Sequence, residues 1–293
     1  MAEPTRLPGP IDLHTHSSVS DGTQTPGDLM RSAREAGLGA VALTDHDSTA
    51  GWSEAALAAA ETGVSLVPGM ELSTRYDGWK SVHVLAYLFD PDNQALTAET
   101  ARIRRARLTR AEAIVERLSA DYDLTWEDVL AHTTPGASIG RPHIADALVT
   151  RGVVGSRSAA FETLLSPRGP YYRQLYAPTP LDGVRLIVGA GGVPVLAHPV
   201  THGRSGALPE EYLVRLIEAG LVGVEVDHRE NTEEGKVYLR DLASRYNLVI
   251  TGSSDYHGAG KPNRLGENTT SVESLERIVG AATGSVPVET DSF

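Results

Sequence analysis

The chain of 293 residues contains no cysteine. That absence removes disulfides, thiolate zinc sites, iron–sulfur clusters and thiol nucleophiles together, so any bound metal has to sit on nitrogen and oxygen. No run of about 18 apolar residues occurs that could span a bilayer, and the opening MAEPTRLPGP lacks the apolar stretch of a secretory signal. The expectation is a cytoplasmic protein with no membrane contact. Basic residues are the minority, 26 against 38 acidic, for a formal net charge of -12. The whole molecule therefore repels a polyanion, and stable DNA binding is not expected. Lysine is scarce, with only Lys80, Lys236 and Lys261. What remains is ordinary for a globular protein: 41% hydrophobic and 22% charged residues supply a full core and exclude disorder and collagen.

Short aliphatic runs alternate with helical patterns: IDLH from Ile11, PGDLMRSAREAG from Pro26, AVALTDH from Ala40, SEAALAAAETG from Ser53. That alternation argues for parallel βα units. Thr25 reads as the N-cap of the first helix, with Pro26 at its first position and Gly37 just past its end. Further apolar runs start at Val64, Val82, Val193, Val222 and Leu248, which brings the count to about seven strands. Between Pro91 and Pro180 the strand signal gives way to helical periodicity at Ile103, Leu108, Ala111, Ile114, Val115 and Leu118. The chain therefore divides into residues 1–95 and 180–293, an α/β barrel, and residues 96–179, a mainly helical insertion. The insertion ends in the irregular connector SPRGPYYRQLYAPTP. It also carries Arg102, Arg104, Arg105, Arg107, Arg110 and Arg117. Two readings of these stay open, a solvated helix face or a surface for an anionic substrate.

The histidines cluster at the C-terminal ends of the expected strands, where α/β barrels place their chemistry. His14 and His16 are two apart on the first strand and so point to one side. Asp21 follows in a loop. His46 lies between Asp45 and Asp47 in LTDHD, and Glu71 stands in the otherwise apolar VPGMEL, where an unpaired carboxylate would be costly. His83 opens the next strand, His198 closes VPVLAHP, and Asp255 and His257 are two apart in TGSSDYHG. Nine nitrogen and oxygen donors are too many for one ion. Imidazole mixed with carboxylate suits manganese, zinc or iron better than calcium or magnesium, so a cluster of two or three metals is expected. Asp45, Asp47 and Asp227 are candidates to orient imidazoles from behind.

Taken in order, IDLHTHSSVSDG, LTDHD, VPGMELS, His83, AHP and GSSDYHG resemble the motifs of the PHP (polymerase and histidinol phosphatase) superfamily. The resemblance covers residues 11–95 and about 180–270. It implies a distorted (β/α)7 barrel with a trinuclear metal centre that hydrolyses phosphate esters. By motif, it implies that His14, His16, Glu71 and Asp255 hold one metal, bridging Glu71 with His83 and His198 a second, and Asp21, His46 and His257 a third. Manganese is the expected ion. The inserted segment, with its GRPHIADAL stretch, is similar to the branch that removes the 3′-phosphate from nucleoside 3′,5′-bisphosphates, some of whose members also trim short oligoribonucleotides from the 5′ end. The expected partner is thus a small phosphorylated nucleotide or a short RNA end. In that branch the arginine and histidine of GRPH face substrate phosphates, which here implies Arg141 and His143.

The expected chemistry is in-line attack on phosphorus by a hydroxide bridging two metals and held by Glu71, His14, His16 and Asp255. His202 and His228 are candidates for the leaving-group acid or a substrate contact. No GxSxG elbow requires a covalent nucleophile. The competing readings are another phosphatase of the superfamily, acting on histidinol phosphate or a similar small ester, a free-standing exonuclease, a non-catalytic nucleotide-binding barrel, and an amidohydrolase. The last often uses a carboxylated lysine, and none of the three lysines ends an expected strand.

Overall fold

In the computed structural model, which describes residues 10–201 and 207–290, seven strands form one sheet in chain order. They are β1 (Ile11–Thr15), β2 (Ala40–Leu43), β3 (Ser65–Tyr76), β4 (Lys80–Tyr87), β5 (Val193–Leu196), β6 (Gly223–Asp227) and β7 (Val249–Gly252). At the end of β1 and just past β7, Thr15 bridges Tyr256 and the His16 amide donates to the Tyr256 carbonyl at 2.8 Å. The sheet is thus a nearly closed barrel.

β1, β2 and β3 run parallel, as do β5, β6 and β7. The expected parallel rhythm fails in the middle, where β4 is antiparallel to both β3 and β5. No helix separates β3 from β4, because Asp77 and Gly78 take positive φ values of 49° and 70° and close a tight hairpin. His83 consequently lies within a strand, opposite Ser73, rather than at a strand opening.

Helix α1 (Pro26–Glu35) begins where expected, with the Thr25 side chain accepting from the Asp28 amide. Together with α2 (Trp52–Thr62) it covers β2 and β3 through Leu29, Met30, Ala55, Ala59, Val41 and Leu66. The long helix α3 (Gln94–Leu118) is shared between two cores. Its first half contributes Leu96 and Ile103 to the layer outside the barrel, while Ile114, Val115 and Leu118 pack with α4 (Trp126–Leu130), α5 (Arg141–Thr150) and α6 (Arg157–Glu162). The helical segment therefore has an apolar core of its own. Helices α7 (Pro180–Gly189), α8 (Glu210–Glu218) and α9 (Glu233–Tyr246) cover β3 to β6, and α10 (Val272–Ala281) follows β7.

Alternation along the strands separates the two faces. On β2, Ala40 and Ala42 join the cluster drawn from strands all round the ring, whereas Val41 and Leu43 pack under α1 and α2. The same count puts Val67 and Glu71 of β3 and Leu85 and His83 of β4 on the inner face, with Met70, Leu72 and Val84 outside. In β1 the count alone would turn His14 outward, since Ile11 and Leu13 belong to the inner cluster. The register slips instead: Asp12 pairs Val41 but Thr15 pairs Leu43, so three residue steps of β1 span two of β2. Such a bulge re-aims a side chain, and here it brings His14 to the inner side after Leu13.

Candidate metal centre

The donors converge at one end of the ring, supplied by β1 (His14), its continuation (His16, Asp21), the β2 end (His46), β3 (Glu71), β4 (His83), the β5 end (His198) and the loop after β7 (Asp255, His257). Nearly all are buried, His46 and His83 being only partly exposed. His46 is tied to Glu71 by a strand bridge, and Glu71 N donates to the Thr44 carbonyl at 2.9 Å. Three non-glycine residues at this end adopt positive φ: Asp47 at 56°, His198 at 27° and Asp255 at 53°. Each such conformation costs about 1–3 kcal/mol and tends to concentrate where function demands it.

Four atoms form a nest. His14 Nε2 lies 3.1 Å from His16 Nε2, 3.4 Å from Glu71 Oε2 and 3.6 Å from Asp255 Oδ1. His16 Nε2 lies 3.2 Å from Glu71 Oε2 and 3.4 Å from Asp255 Oδ1. Atoms held about 2.1 Å from a common ion at right or tetrahedral angles would sit roughly 3.0–3.4 Å apart; four of these five separations fall in that range, and His14 Nε2 to Asp255 Oδ1 is slightly longer at 3.6 Å. The second Glu71 oxygen, Oε1, is 2.6 Å from His83 Nδ1 and 3.0 Å from His198 Nε2. Asp21 reaches His257 Nε2 at 3.2 Å and His46 Nε2 at 3.8 Å, and His16 Nδ1 is 3.7 Å from it. Four overlapping groups result: His14 with Glu71 and His198; His14 with His16 and Asp255; His16 with His46 and Glu71; and His16 with Asp21 and His257. His16 thus borders the Asp21 group as well as the nest.

The chemistry of the donor set fits divalent cations. Burial opposes ionisation of Glu71, yet the charges of His83, His46 and His14 hold its carboxyl well below the usual range. Asp21 and Asp255 are likewise held well below it against burial, Asp21 by His257 and His46, and Asp255 by Lys261 and His257. In return, and also against burial, His14 is raised well above its ordinary value by Glu225, Glu71 and Asp255, and His16 is pushed up to about 9 by hydrogen bonds to Asp255 and Glu71. The site calls for positive charge on both facing nitrogens. Two imidazolium N–H groups cannot share a 3.1 Å gap without an acceptor between them, whereas a divalent ion is received by two lone pairs. His46 Nδ1 and His83 Nδ1 point the same way: each is near Glu71, at 3.1 and 2.6 Å, but neither makes a hydrogen bond.

Groups behind the imidazoles fix which nitrogen is free. His14 Nδ1 donates to Glu225 Oε1 at 3.0 Å, and His257 Nδ1 to the Asp255 carbonyl at 2.8 Å, leaving Nε2 unprotonated in each neutral ring. His16 Nδ1 meets Ser20 Oγ at 3.3 Å, which donates in turn to Asp45 Oδ1 at 2.6 Å. Of the three carboxylates expected to orient imidazoles, Asp45 does so only through Ser20. Asp47 instead accepts from Ser73 and Arg107, and Asp227 pairs with Arg240.

His143 is buried. Its Nδ1 accepts from the Gly140 amide at 3.1 Å, so the ring proton is on Nε2, and burial lowers its pKa while Asp21 acts to raise it. Arg141, at the start of α5, donates to the Leu165 carbonyl at 2.9 Å and lies 5.1 Å from the Phe161 ring. His228 is fully buried, with Nε2 3.5 Å from Asp255 Oδ2 and no hydrogen-bond partner on that atom. His202 lies outside the described residues. The helical segment touches the loop that bears Asp21: Arg157 pairs with Asp146 and donates to the Asp21 carbonyl at 3.2 Å, and Ser138 N donates to the Val19 carbonyl at 2.8 Å.

Two residues of the centre escape the sequence reading. Glu225, fully buried, accepts from His198 N at 2.8 Å as well as from His14. It had a signal, since GVEVD sets a carboxylate in an apolar strand just as VPGMEL does. Lys261 Nζ donates to Asp255 Oδ2 at 2.6 Å; it comes from a loop, where no periodicity announces it.

A barrel that converges imidazoles and carboxylates on one mouth in this way is built to hold divalent metal ions, the equipment of metal-assisted hydrolysis. Comparison with known proteins makes the class specific. The PHP domain profile matches residues 12–126. The chain is 34% identical over 87% of its length to a 3′,5′-nucleoside bisphosphate phosphatase of Chromobacterium violaceum, covering 89% of that protein. It is 30% identical over 90% of its length to a 5′-3′ exoribonuclease of Haemophilus influenzae, covering 96% of it. A crystal structure from Bifidobacterium adolescentis, of a protein inferred to be a metal-dependent phosphoesterase, superposes with a TM-score of 0.91 at 44% identity, over 93% of this chain and 96% of that one. The chain belongs to the PHP family and is a metal-dependent phosphoesterase.

Proposed function

We propose that the protein removes the 3′-phosphate from nucleoside 3′,5′-bisphosphates, using three divalent ions of which manganese is the best suited. The observation that carries the metal reading is the nest of His14, His16, Glu71 and Asp255 at ligand spacing. In this reading those four hold one ion, Glu71 with His83 and His198 a second, and Asp21, His46 and His257 a third. Mixed imidazole and carboxylate donors support manganese, with zinc or iron as alternatives. The choice of substrate is supported by the Chromobacterium relative and by the GRPH stretch. We also assign the protein to the cytoplasm, on the absence of cysteine and of an apolar leader-like stretch in the sequence. Among the described residues no helix is long and apolar enough to cross a membrane.

Such ions, when bound, lower the pKa of water and neutralise phosphoryl oxygens. The chain supplies the rest. Glu225 and the Asp45–Ser20 pair hold His14 and His16 in register, and Arg141 offers a planar fork to the phosphate. His143, neutral with its proton on Nε2, donates a further hydrogen bond. His228 Nε2, unpartnered beside Asp255, returns a proton to the leaving oxygen. The helical segment, resting on the Asp21 loop, excludes water from the mouth.

The test is phosphate release from adenosine 3′,5′-bisphosphate with Mn²⁺, beside 5′-AMP, histidinol phosphate and a short 5′-phosphorylated RNA, each with a chelator control. Chelator-sensitive release selective for the bisphosphate is expected; release from histidinol phosphate alone would overturn the substrate. Cleavage of the RNA alone would favour the second reading, 5′-end trimming, supported by the Haemophilus relative.

A further inference from the structure

Of the three ligand sets proposed above, the one of Asp21, His46 and His257 is built least from the barrel. His46 is tied to β3 through its bridge with Glu71, but Asp21 and His257 lie in turns, outside any strand or helix. Separations here are also wide: Asp21 is 3.8 Å from His46 Nε2 and 3.7 Å from His16 Nδ1, against 3.1 to 3.6 Å within the nest. Whatever keeps these turns in place therefore decides whether the set can close on an ion.

The two turns hold each other. Thr23 N donates to the His257 carbonyl at 3.2 Å, and Ala259 N to Thr23 Oγ1 at 2.9 Å. Further support comes from the helical segment, which donates to three carbonyls of the Asp21 turn. Thr134 Oγ1 reaches the Ser18 carbonyl at 2.8 Å, Ser138 N the Val19 carbonyl at 2.8 Å, and Arg157 Nη1 the Asp21 carbonyl at 3.2 Å.

Arg157 differs from the other two donors in touching both turns. Its Nε and Nη2 form a fork on the Asp146 carboxylate of α5, which fixes the guanidinium plane and leaves Nη1 for Asp21. On its other side the guanidinium lies against Gly260, in the turn that follows His257, where a methyl group would overlap Nη1. Burial opposes the charge, the side chain being 15% exposed, but Asp146 and then Asp21 outweigh it and hold the Arg157 pKa above its ordinary value. Local structure gives no reason for an arginine here. Arg157 is the first residue of α6, after the cap Ser156, where a helix end favours acidic side chains over basic ones.

We propose that Arg157 is a positioning residue for Asp21, joining Asp146 to the Asp21 and His257 turns so that the docked helical segment sets the third ligand set and leaves the nest of His14, His16, Glu71 and Asp255 untouched. This rests on the three-ion reading above and names a residue outside the donors on which the third ion depends. A main chain held from outside fixes where the Asp21 carboxylate starts, and the short aspartate side chain has only two torsions with which to make up an error.

The experiment uses the Mn²⁺-loaded protein and the variants Arg157→Met, Arg157→Lys, Gly260→Ala and Ile114→Ala. Gly260→Ala displaces the guanidinium without removing it; Ile114→Ala loosens the core of the same segment without touching the clamp. Ions per chain are counted by mass spectrometry after equilibration with a metal-buffering chelator, and hydrogen exchange on metal-free protein reports the opening of residues 17–23. Wild type and Ile114→Ala are expected to keep three ions. Arg157→Met and Gly260→Ala are expected to keep two, to bind the third about 10- to 100-fold more weakly, and to exchange faster over 17–23. Arg157→Lys, which reaches Asp146 or Asp21 but cannot fork, is expected to fall between; with Gly260→Ala it carries the test should the methionine variant fail to fold. Three ions at wild-type affinity in the Arg157 and Gly260 variants, or an equal loss of all ions in every variant, would overturn the proposal. If the wild type holds only two ions, yet exchange over 17–23 rises in the Arg157 and Gly260 variants and not in Ile114→Ala, the three-ion reading fails and the positioning of Asp21 by Arg157 stands.

Discussion

Glu225→Gln is the sharpest test of how the chain prepares its metal donors. The wild-type carboxylate serves two donors at once, His14 Nδ1 at 3.0 Å and the His198 amide at 2.8 Å. A glutamine in the same place has one oxygen. If that oxygen keeps the His198 amide, the new NH₂ faces His14 Nδ1, which must then accept, and the ring proton moves to Nε2. That is the atom 3.1 Å from His16 Nε2, so a proton now occupies the lone pair that an ion requires. Carboxylates in this supporting role are worth about 10- to 100-fold in metal affinity or activity, equivalent to about 1.4–2.7 kcal/mol. Competition titration with a metal-buffering chelator reads the affinity, and phosphate release at rising Mn²⁺ reads the activity. The expected result is weaker binding by one to two decades, with turnover partly restored at high metal. Affinity and turnover within twofold of wild type would refute the argument that Glu225 sets the His14 tautomer.

Other substitutions separate the parts of the site. His14→Ala should abolish phosphate release and lower the metal content measured on the purified protein by mass spectrometry; full metal content with normal turnover would remove His14 from the centre. Arg141→Ala should mainly raise KM, since its fork is assigned to binding, and a loss confined to kcat would contradict that. Gly22→Ala puts a carbon 2.3 Å from the His16 carbonyl oxygen, so the Asp21 loop must shift; a cost of about 1–3 kcal/mol is expected in thermal unfolding, with weakened metal binding. Ile114→Ala, in the core of the helical segment, should cost about 2–5 kcal/mol yet leave the metal content intact; a variant that loses its metal would show that this core and the centre are one unit.

How far the sequence could be read depended on whether the information was local. Two histidines two apart must share a side of a strand, but that this side is the inner one follows from the slip between β1 and β2, which only the pairing partner reveals. The antiparallel β4 was hidden because a buried strand reads as the same apolar run in either direction, although Asp77-Gly78 is a hairpin signal in its own right. For Glu225 the argument already applied to Glu71 would have sufficed. The arginines of α3 are more instructive. Residues 103, 107, 110 and 114 fall at the three- and four-residue spacing of one helix face, and Ile103 and Ile114 mark that face as buried. Helical phase therefore places Arg107 and Arg110 inward and leaves Arg102 and Arg105 exposed, as observed. Neither a solvated face nor an anionic surface describes all six arginines, because the helix turns some to water and others into the protein. What no phase could supply is the company they keep: Arg75 from β3 and Arg141 from α5 arrive from distant parts of the chain.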